Sequence, residues 1–149
     1  MSEALRERAL RILARRDYAR LELSRKLAPH AESAPQLEAL LDELTAQSLL
    51  SDERYAQVRL HSRAARLGDA RLAYELRSQG VADQLITAAL ATGDDELTRA
   101  RRVWQRKFGN APLAAGDGVG RARQIRFLSA RGFSAETIRR ILRGNLEDD

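Results

Sequence analysis

Leu50-Ser51-Asp52-Glu53-Arg54-Tyr55-Ala56 is the stretch from which the rest of the chain can be read. It has the chemistry of a helix start. The Ser51 hydroxyl suits an N-cap, accepting from a first-turn N–H that has no partner inside the helix. Asp52 and Glu53 place negative charge at the positive end of the helix dipole. Leu50 before the cap and Tyr55 at the fourth helical position have the spacing of a hydrophobic staple. A well-made helix entry explains this stretch without any ligand, so Leu50, Ser51, Asp52, Glu53, Arg54 and Tyr55 are a structural motif first.

Outward from this point the apolar spacing is helical throughout, and no strand pattern stands out. Leu5, Ala9, Ile12 and Leu13 make one face of a first helix. Asp17 is placed to cap a second, with Leu23 and Leu27 inward, which Pro29 ends. Ser33 and Pro35 open a third, in which Leu37, Leu40, Leu41 and Leu44 follow the i, i+3, i+4, i+7 template. The helix from Ser51 carries Tyr55, Val58, Ser62 and Ala65 on one side. Asp69 is placed to cap the next, with Leu72 and Leu76 inside and Gly80 at its C-terminal turn. Leu85, Ile86, Ala89 and Leu90 form a short helix ended by Gly93. Leu97, Ala100, Trp104 and Phe108 line the following one. Residues 109–120 read as a Gly-rich linker. Ile125 and Leu128 face inward from an Arg-rich helix, Gly132 breaks it, and Ser134 caps a last helix with Ile138, Ile141 and Leu142. The tail Glu147-Asp148-Asp149 is acidic.

Segments of this run match one another. Glu75-Leu76 through Gly80-Val81 to Ile86 and Leu90 lines up with Phe127-Leu128 through Gly132-Phe133 to Ile138 and Leu142, and Glu22-Leu23 lines up with Glu75-Leu76. The expected fold is therefore all-α, with a three-helix unit used three times in tandem: 1–47, 48–91, and 92–149 with the linker 109–120 and the acidic tail. Units this small need their neighbours to complete a core.

Composition bounds the function. The 149 residues contain no cysteine, which removes disulfides and thiolate chemistry. No apolar run reaches a membrane span and no signal-peptide pattern is present, so a cytoplasmic protein without membrane contact is expected. His30 and His61 are too few to build a metal site. Gly116-Asp117-Gly118-Val119-Gly120 lacks the Lys-Ser/Thr of a phosphate loop, and no strand leads into it. The carboxylates sit at helix starts or on outer faces. A binding protein without catalytic residues, metal or cofactor, and a monomer, is the expectation.

The basic residues supply a mechanism for binding. Of 26 basic residues 24 are Arg, and the formal charge of +5 is uneven: net +4 over residues 1–30, −6 over 31–98 and +7 over 99–149. Arg59, Arg63 and Arg66 make one row, and Arg99, Arg102 and Arg106 another. Arg121, Arg123, Arg126 and Arg131 crowd the next helix, and Arg139, Arg140 and Arg143 the last. Such rows suit regularly spaced phosphates and need no base readout. Solvated helix faces explain any single row equally well, but several rows with few acids between them favour a polyanion. Trp104 and Phe108 fall on a core face, so few aromatics remain for base stacking.

Leu49-Leu50-Ser51-Asp52-Glu53-Arg54-Tyr55-Ala56 resembles the most characteristic motif of the RecX regulatory proteins of bacteria. Arg15-Arg16-Asp17-Tyr18 with Glu22-Leu23 and Lys26-Leu27 is similar to that family's first module. Glu75-Leu76-Arg77 to Gly80-Val81 resembles its second, and Arg131-Gly132-Phe133-Ser134 with Ile138-Arg139-Arg140 its third. Val103-Trp104 with Lys107-Phe108-Gly109 is also shared. Gly68-Asp69-Ala70-Arg71 departs from the family's more basic stretch, which puts a charge contact there in doubt. The resemblance implies three tandem modules in a curved, elongated array. It also implies binding in the groove of the RecA–DNA filament, with inhibition of RecA's ATPase, strand exchange and coprotease activities, and a part in recombination, DNA repair and the SOS response. A general DNA-binding helical protein and a helical adaptor for an acidic protein surface are the rival readings.

Overall fold

The computed structural model describes residues 2–109, 113 and 116–147. Parts of the expected linker (110–112 and 114–115), and Asp148 and Asp149 of the tail, lie outside the described residues. Among the described residues there are nine α-helices and no strand: α1 (Ser2–Leu13), α2 (Arg20–Leu27), α3 (Ala34–Ala46), α4 (Asp52–Arg63), α5 (Asp69–Ser78), α6 (Asp83–Leu90), α7 (Glu96–Phe108), α8 (Gly118–Ala130) and α9 (Ala135–Glu147). Among the described residues no helix is long and apolar enough to cross a membrane.

Packing divides the chain into two compact units, each assembled from two stretches. The first comprises Met1–Arg59 and Leu76–Ala89, the second Leu60–Glu75 and Leu90–Asp149. The first unit's core is built from Leu5, Ala9, Tyr18, Leu23, Leu27, Leu37, Leu40, Leu41, Leu44 and Leu50. Each fully buried Leu contributes about 1.5–3 kcal/mol of transfer free energy. The second unit's core joins Ala100, Val103, Trp104 and Phe108 of α7 to Leu128, Phe133, Ile138, Ile141 and Leu142. Phe108 meets the Phe127 ring edge-on with centroids 5.4 Å apart. The Trp104 indole N–H donates to Gln124 Oε1 at 2.8 Å, which satisfies the only donor of a buried ring.

The internal repeat is visible in the backbone. At the end of α5 the Val81 N–H donates to Leu76 O at 3.1 Å and the Gly80 N–H to Arg77 O at 2.9 Å. At the end of α8 the Phe133 N–H donates to Leu128 O at 3.2 Å and the Gly132 N–H to Ser129 O at 3.0 Å. Gly80 and Gly132 have φ of 79° and 91°. Both are Schellman turns, and Leu76, Val81, Leu128 and Phe133 are all buried. The end of α2 is built differently: Pro29 enters a 3-10 turn over Ala28–His30.

Several expectations need correction. α2 is not capped by Asp17. Its N-cap is Ala19, whose own N–H donates to Glu22 Oε1, while Asp17 is drawn to Arg54. Val58 is 53% exposed, and α4 turns Tyr55, Ala56 and Leu60 inward instead. Leu60 buries more apolar area than the Ser62 that would accompany Val58. Ile125 is 36% exposed because Gln124 takes the inward position to reach Trp104. The expected linker ends early, since Asp117 accepts the Gly120 N–H and α8 starts at Gly118. Asp69 is the first residue of α5 rather than its cap, and its carboxylate goes to Arg99.

Candidate functional site

The Leu50–Tyr55 motif is a joint inside the first unit. Ser51 Oγ accepts the Arg54 N–H at 3.1 Å, as an N-cap should. Leu50 and Tyr55, the two ends of the staple, are buried. Asp52 does more than charge its own helix: its Oδ1 accepts the Arg20 N–H at 2.7 Å and so caps α2. Arg54 Nε donates to Asp17 Oδ1 at 2.7 Å, and its Nη1 and Nη2 to Ser48 O and Leu49 O at 3.1 and 3.3 Å. Ser48 has φ 61°, an unfavourable conformation for a residue with a Cβ. Arg54 therefore ties down the strained turn that leads into the motif. Glu53 is exposed.

The second unit holds the charge. The first unit has eleven basic and eleven acidic residues, whereas the second has fifteen basic and ten acidic, which is the whole +5 of the protein. Some of those cations are spoken for. Arg99 does not belong to a surface row with Arg102 and Arg106, contrary to the expectation from spacing. It is 6% exposed, and its guanidinium donates to Ala64 O, Leu67 O, Asp94 O and the Asp69 carboxylate. A buried guanidinium with its donors used this way is a structural clamp. Its place on the inner side of α7, beside Ala100 and Val103, is the sequence signal that separates it from its neighbours.

Arg63 is half-buried and grips Glu75 with two bonds, Nε to Oε2 at 3.0 Å and Nη2 to Oε1 at 2.7 Å. α4 ends at Arg63, so the helical spacing that grouped Arg66 with Arg59 and Arg63 does not extend to Arg66. Arg59 and Arg66 are exposed. Arg102 pairs with Asp94 and Arg139 with Glu136, both at the surface, where such pairs are worth little. Arg106, Arg121, Arg123, Arg126, Arg140 and Arg143 are exposed. Among the described residues none of these six makes a salt bridge. Arg131 is half-buried with its guanidinium 4.9 Å from the Phe127 ring centre, and Lys107 Nζ lies 5.5 Å from the same ring.

Two adjacent carboxylates in this unit behave oppositely. Asp95 caps α7 by accepting the Thr98 N–H at 2.8 Å, and that bond holds it below its ordinary pKa. Glu96 is half-buried and reaches the start of α9, accepting the Ser134 N–H at 2.8 Å. Burial pushes its carboxyl above the ordinary value, against the pull of that N–H. Ser134 in turn caps α9 through the Thr137 N–H at 3.1 Å.

The two stretches of the second unit meet backbone to backbone. The Gly68 N–H donates to Arg131 O at 2.8 Å. A Cβ on Gly68 would collide with Gly132, and a Cβ on Gly132 would collide with Arg71. Among the described residues no cluster of His, Asp or Glu is suited to a metal ion, and His30 and His61 are exposed. One residue that the basic rows did not single out is Tyr74, 69% exposed on the side of α5 away from Leu72 and Leu76.

Comparison with known proteins places this arrangement. A family model described as RecX, third three-helix domain, matches residues 94–142, and one described as RecX, second three-helix domain, matches residues 51–90. The regulatory protein RecX of Chromobacterium violaceum is 45% identical over 147 residues, covering 99% of this chain and 94% of the relative. That of Leptothrix cholodnii is 48% identical over 141 residues, covering 94% and 88%. The crystal structure of RecX from Lactobacillus salivarius has the same fold, with a TM-score of 0.82 at 18% identity over 98% of this chain and 97% of that one. The two matching three-helix domain models and a relative 45% identical over 99% of this chain make this chain a member of the RecX family of regulatory proteins, which are regulators rather than enzymes.

Proposed function

We propose that this protein binds the RecA nucleoprotein filament and inhibits RecA's ATPase, strand exchange and coprotease activities. In this reading it restrains recombination and the SOS response and acts in the cytoplasm as a monomer. The three-helix modules 1–47, 48–91 and 92–149 are the contact units. DNA is met through its phosphates and without sequence preference. The observation that carries the reading is the charge of the second unit. Its Asp69 and Glu75 carboxylates are cancelled by Arg99 and Arg63, while exposed Arg106, Arg121, Arg123, Arg126, Arg140 and Arg143 keep their charge for a polyanion. Family membership supports RecA as the partner. Arg59, Arg66, Arg102, Arg131 and Arg139 are secondary contacts.

The test is RecA ATPase on single-stranded DNA, titrated with the protein and with the triple variant Arg123→Glu, Arg126→Glu, Arg143→Glu. The wild type inhibits. The variant inhibits less, and the salt dependence of its DNA binding flattens by roughly one unit of slope for each phosphate no longer neutralised. Undiminished DNA binding with no inhibition by the wild type would leave only a general DNA-binding protein. RecA binding without DNA and insensitive to the triple variant would favour an adaptor for an acidic protein surface.

A further inference from the structure

We infer that the outer face of α5 in the second unit, Arg71 with Tyr74, is a stacking site for an unpaired base of single-stranded nucleic acid. The inference rests on the polyanion reading above and deepens it. The protein has seven aromatic residues. Tyr18, Tyr55, Trp104, Phe108 and Phe133 are buried and Phe127 is half-buried, which leaves Tyr74 with its ring in solvent.

A lone exposed Tyr is ordinary by itself. Its surroundings set it apart. Arg71 stands one helical turn before Tyr74, on the same side of α5, and is exposed. The Cβ and backbone of Arg71 lie close against Gly132, next to the point where the Gly68 N–H meets the 131–132 turn. That turn carries Arg131, whose guanidinium lies over Phe127 with Lys107 near the same ring. The carboxylates that would repel a phosphate here are neutralised, Asp69 by Arg99 and Glu75 by Arg63. The result is an exposed cation one helical turn from an open aromatic face, in the unit that carries the surplus charge. A polynucleotide needs both: phosphate contact from the cation, and a π-face for a base that is not already stacked in a duplex. Duplex DNA presents no free base face and gains only the charge.

The probe is fluorescein-labelled oligo(dT), with a duplex of equal length beside it, followed by anisotropy without RecA. Tyr74→Ala weakens oligo(dT) binding by about tenfold or more and leaves duplex binding and circular dichroism unchanged. Tyr74→Phe binds oligo(dT) as the wild type does, because the ring and not the hydroxyl stacks. Tyr74→Trp shows emission quenched by oligo(dT), whereas the wild type, whose one Trp is buried Trp104, does not. Equal oligo(dT) affinity of Tyr74→Ala and wild type, or a Tyr74→Trp emission indifferent to oligo(dT), overturns the site. Loss of RecA inhibition in Tyr74→Ala with oligo(dT) binding intact also overturns it, in favour of a protein contact. Quenching of Tyr74→Trp by oligo(dT) in a protein that fails to inhibit RecA supports the site and removes the filament reading.

Discussion

Asp52 Oδ1 accepts the backbone N–H of Arg20 at 2.7 Å, so a residue at the start of α4 caps α2, thirty-two positions earlier in the chain. Ser51 beside it caps α4. Two adjacent side chains thus close two different helices. Ser51→Ala should cost about 1 kcal/mol, and Asp52→Ala about 1–2 kcal/mol because its acceptor is charged. Asp52→Asn, which keeps an acceptor, should recover most of the loss. Urea midpoints at pH 7 measure all three, and a neutral Asp52→Ala would show that the α2 start does not need this bond.

Gly132 and Gly93 both have positive φ, 91° and 77°, yet only Gly132 is crowded. Gly93→Ala should cost about 1–2 kcal/mol, the penalty for a Cβ in the left-handed region. Gly132→Ala adds the collision with Arg71 and should cost about 2–5 kcal/mol. The difference between the two in chemical denaturation isolates the close approach. Equal losses would mean that the 131–132 turn gives way easily.

Arg99 and Arg102 are three residues apart and make ion pairs of very different worth. Arg99→Met strands the Asp69 carboxylate and removes the donors to Ala64 O and Leu67 O, for an expected loss of about 3–5 kcal/mol. Arg102→Met, at the surface, should change stability by less than about 1 kcal/mol. Thermal or urea unfolding decides it, and a stable Arg99→Met protein would return Arg99 to the surface cations.

Glu96 has a raised carboxyl pKa, so the folded state holds its proton more tightly than the unfolded chain. Stability from this group is highest below the ordinary glutamate value of about 4.3 and falls as pH rises through the raised folded value. Glu96→Gln keeps an oxygen for the Ser134 N–H and carries no charge. The wild type should therefore lose stability relative to Glu96→Gln across that window and stay at a constant difference above it. Denaturation midpoints as a function of pH measure this, and parallel curves would mean that burial does not govern the Glu96 carboxyl.

Much of this was legible in the residues alone. The caps at Ser33, Ser51 and Ser134 and the turns at Gly80 and Gly132 follow from local chemistry, and the structure has them. Leu37, Leu40, Leu41 and Leu44 keep helical spacing without competition, and all four are buried. What failed were choices between two faces of nearly equal apolarity. Val58 and Leu60 offer α4 alternative inner sides, and Ile125 lost its place to a Gln that the Trp104 indole requires. Long-range pairs were not legible at all. Nothing near Asp17 in sequence says that it belongs to Arg54, nor near Asp69 that it belongs to Arg99, and these pairs separate a structural cation from a free one.

The second unit is interrupted in the chain: Leu60–Glu75 packs with residues beyond Leu90, and the fourteen residues between belong to the first unit. This sets an order of events on the ribosome. The first unit has all its parts once Ala89 has emerged, but Asp69 must wait for Arg99 of α7. At bacterial rates of synthesis that wait lasts on the order of several seconds, and Gly68 meets its partner only after the 131–132 turn has left the exit tunnel. A nascent chain that stalls after α6 therefore carries a finished unit and an orphaned one, the state most open to chaperones and proteases.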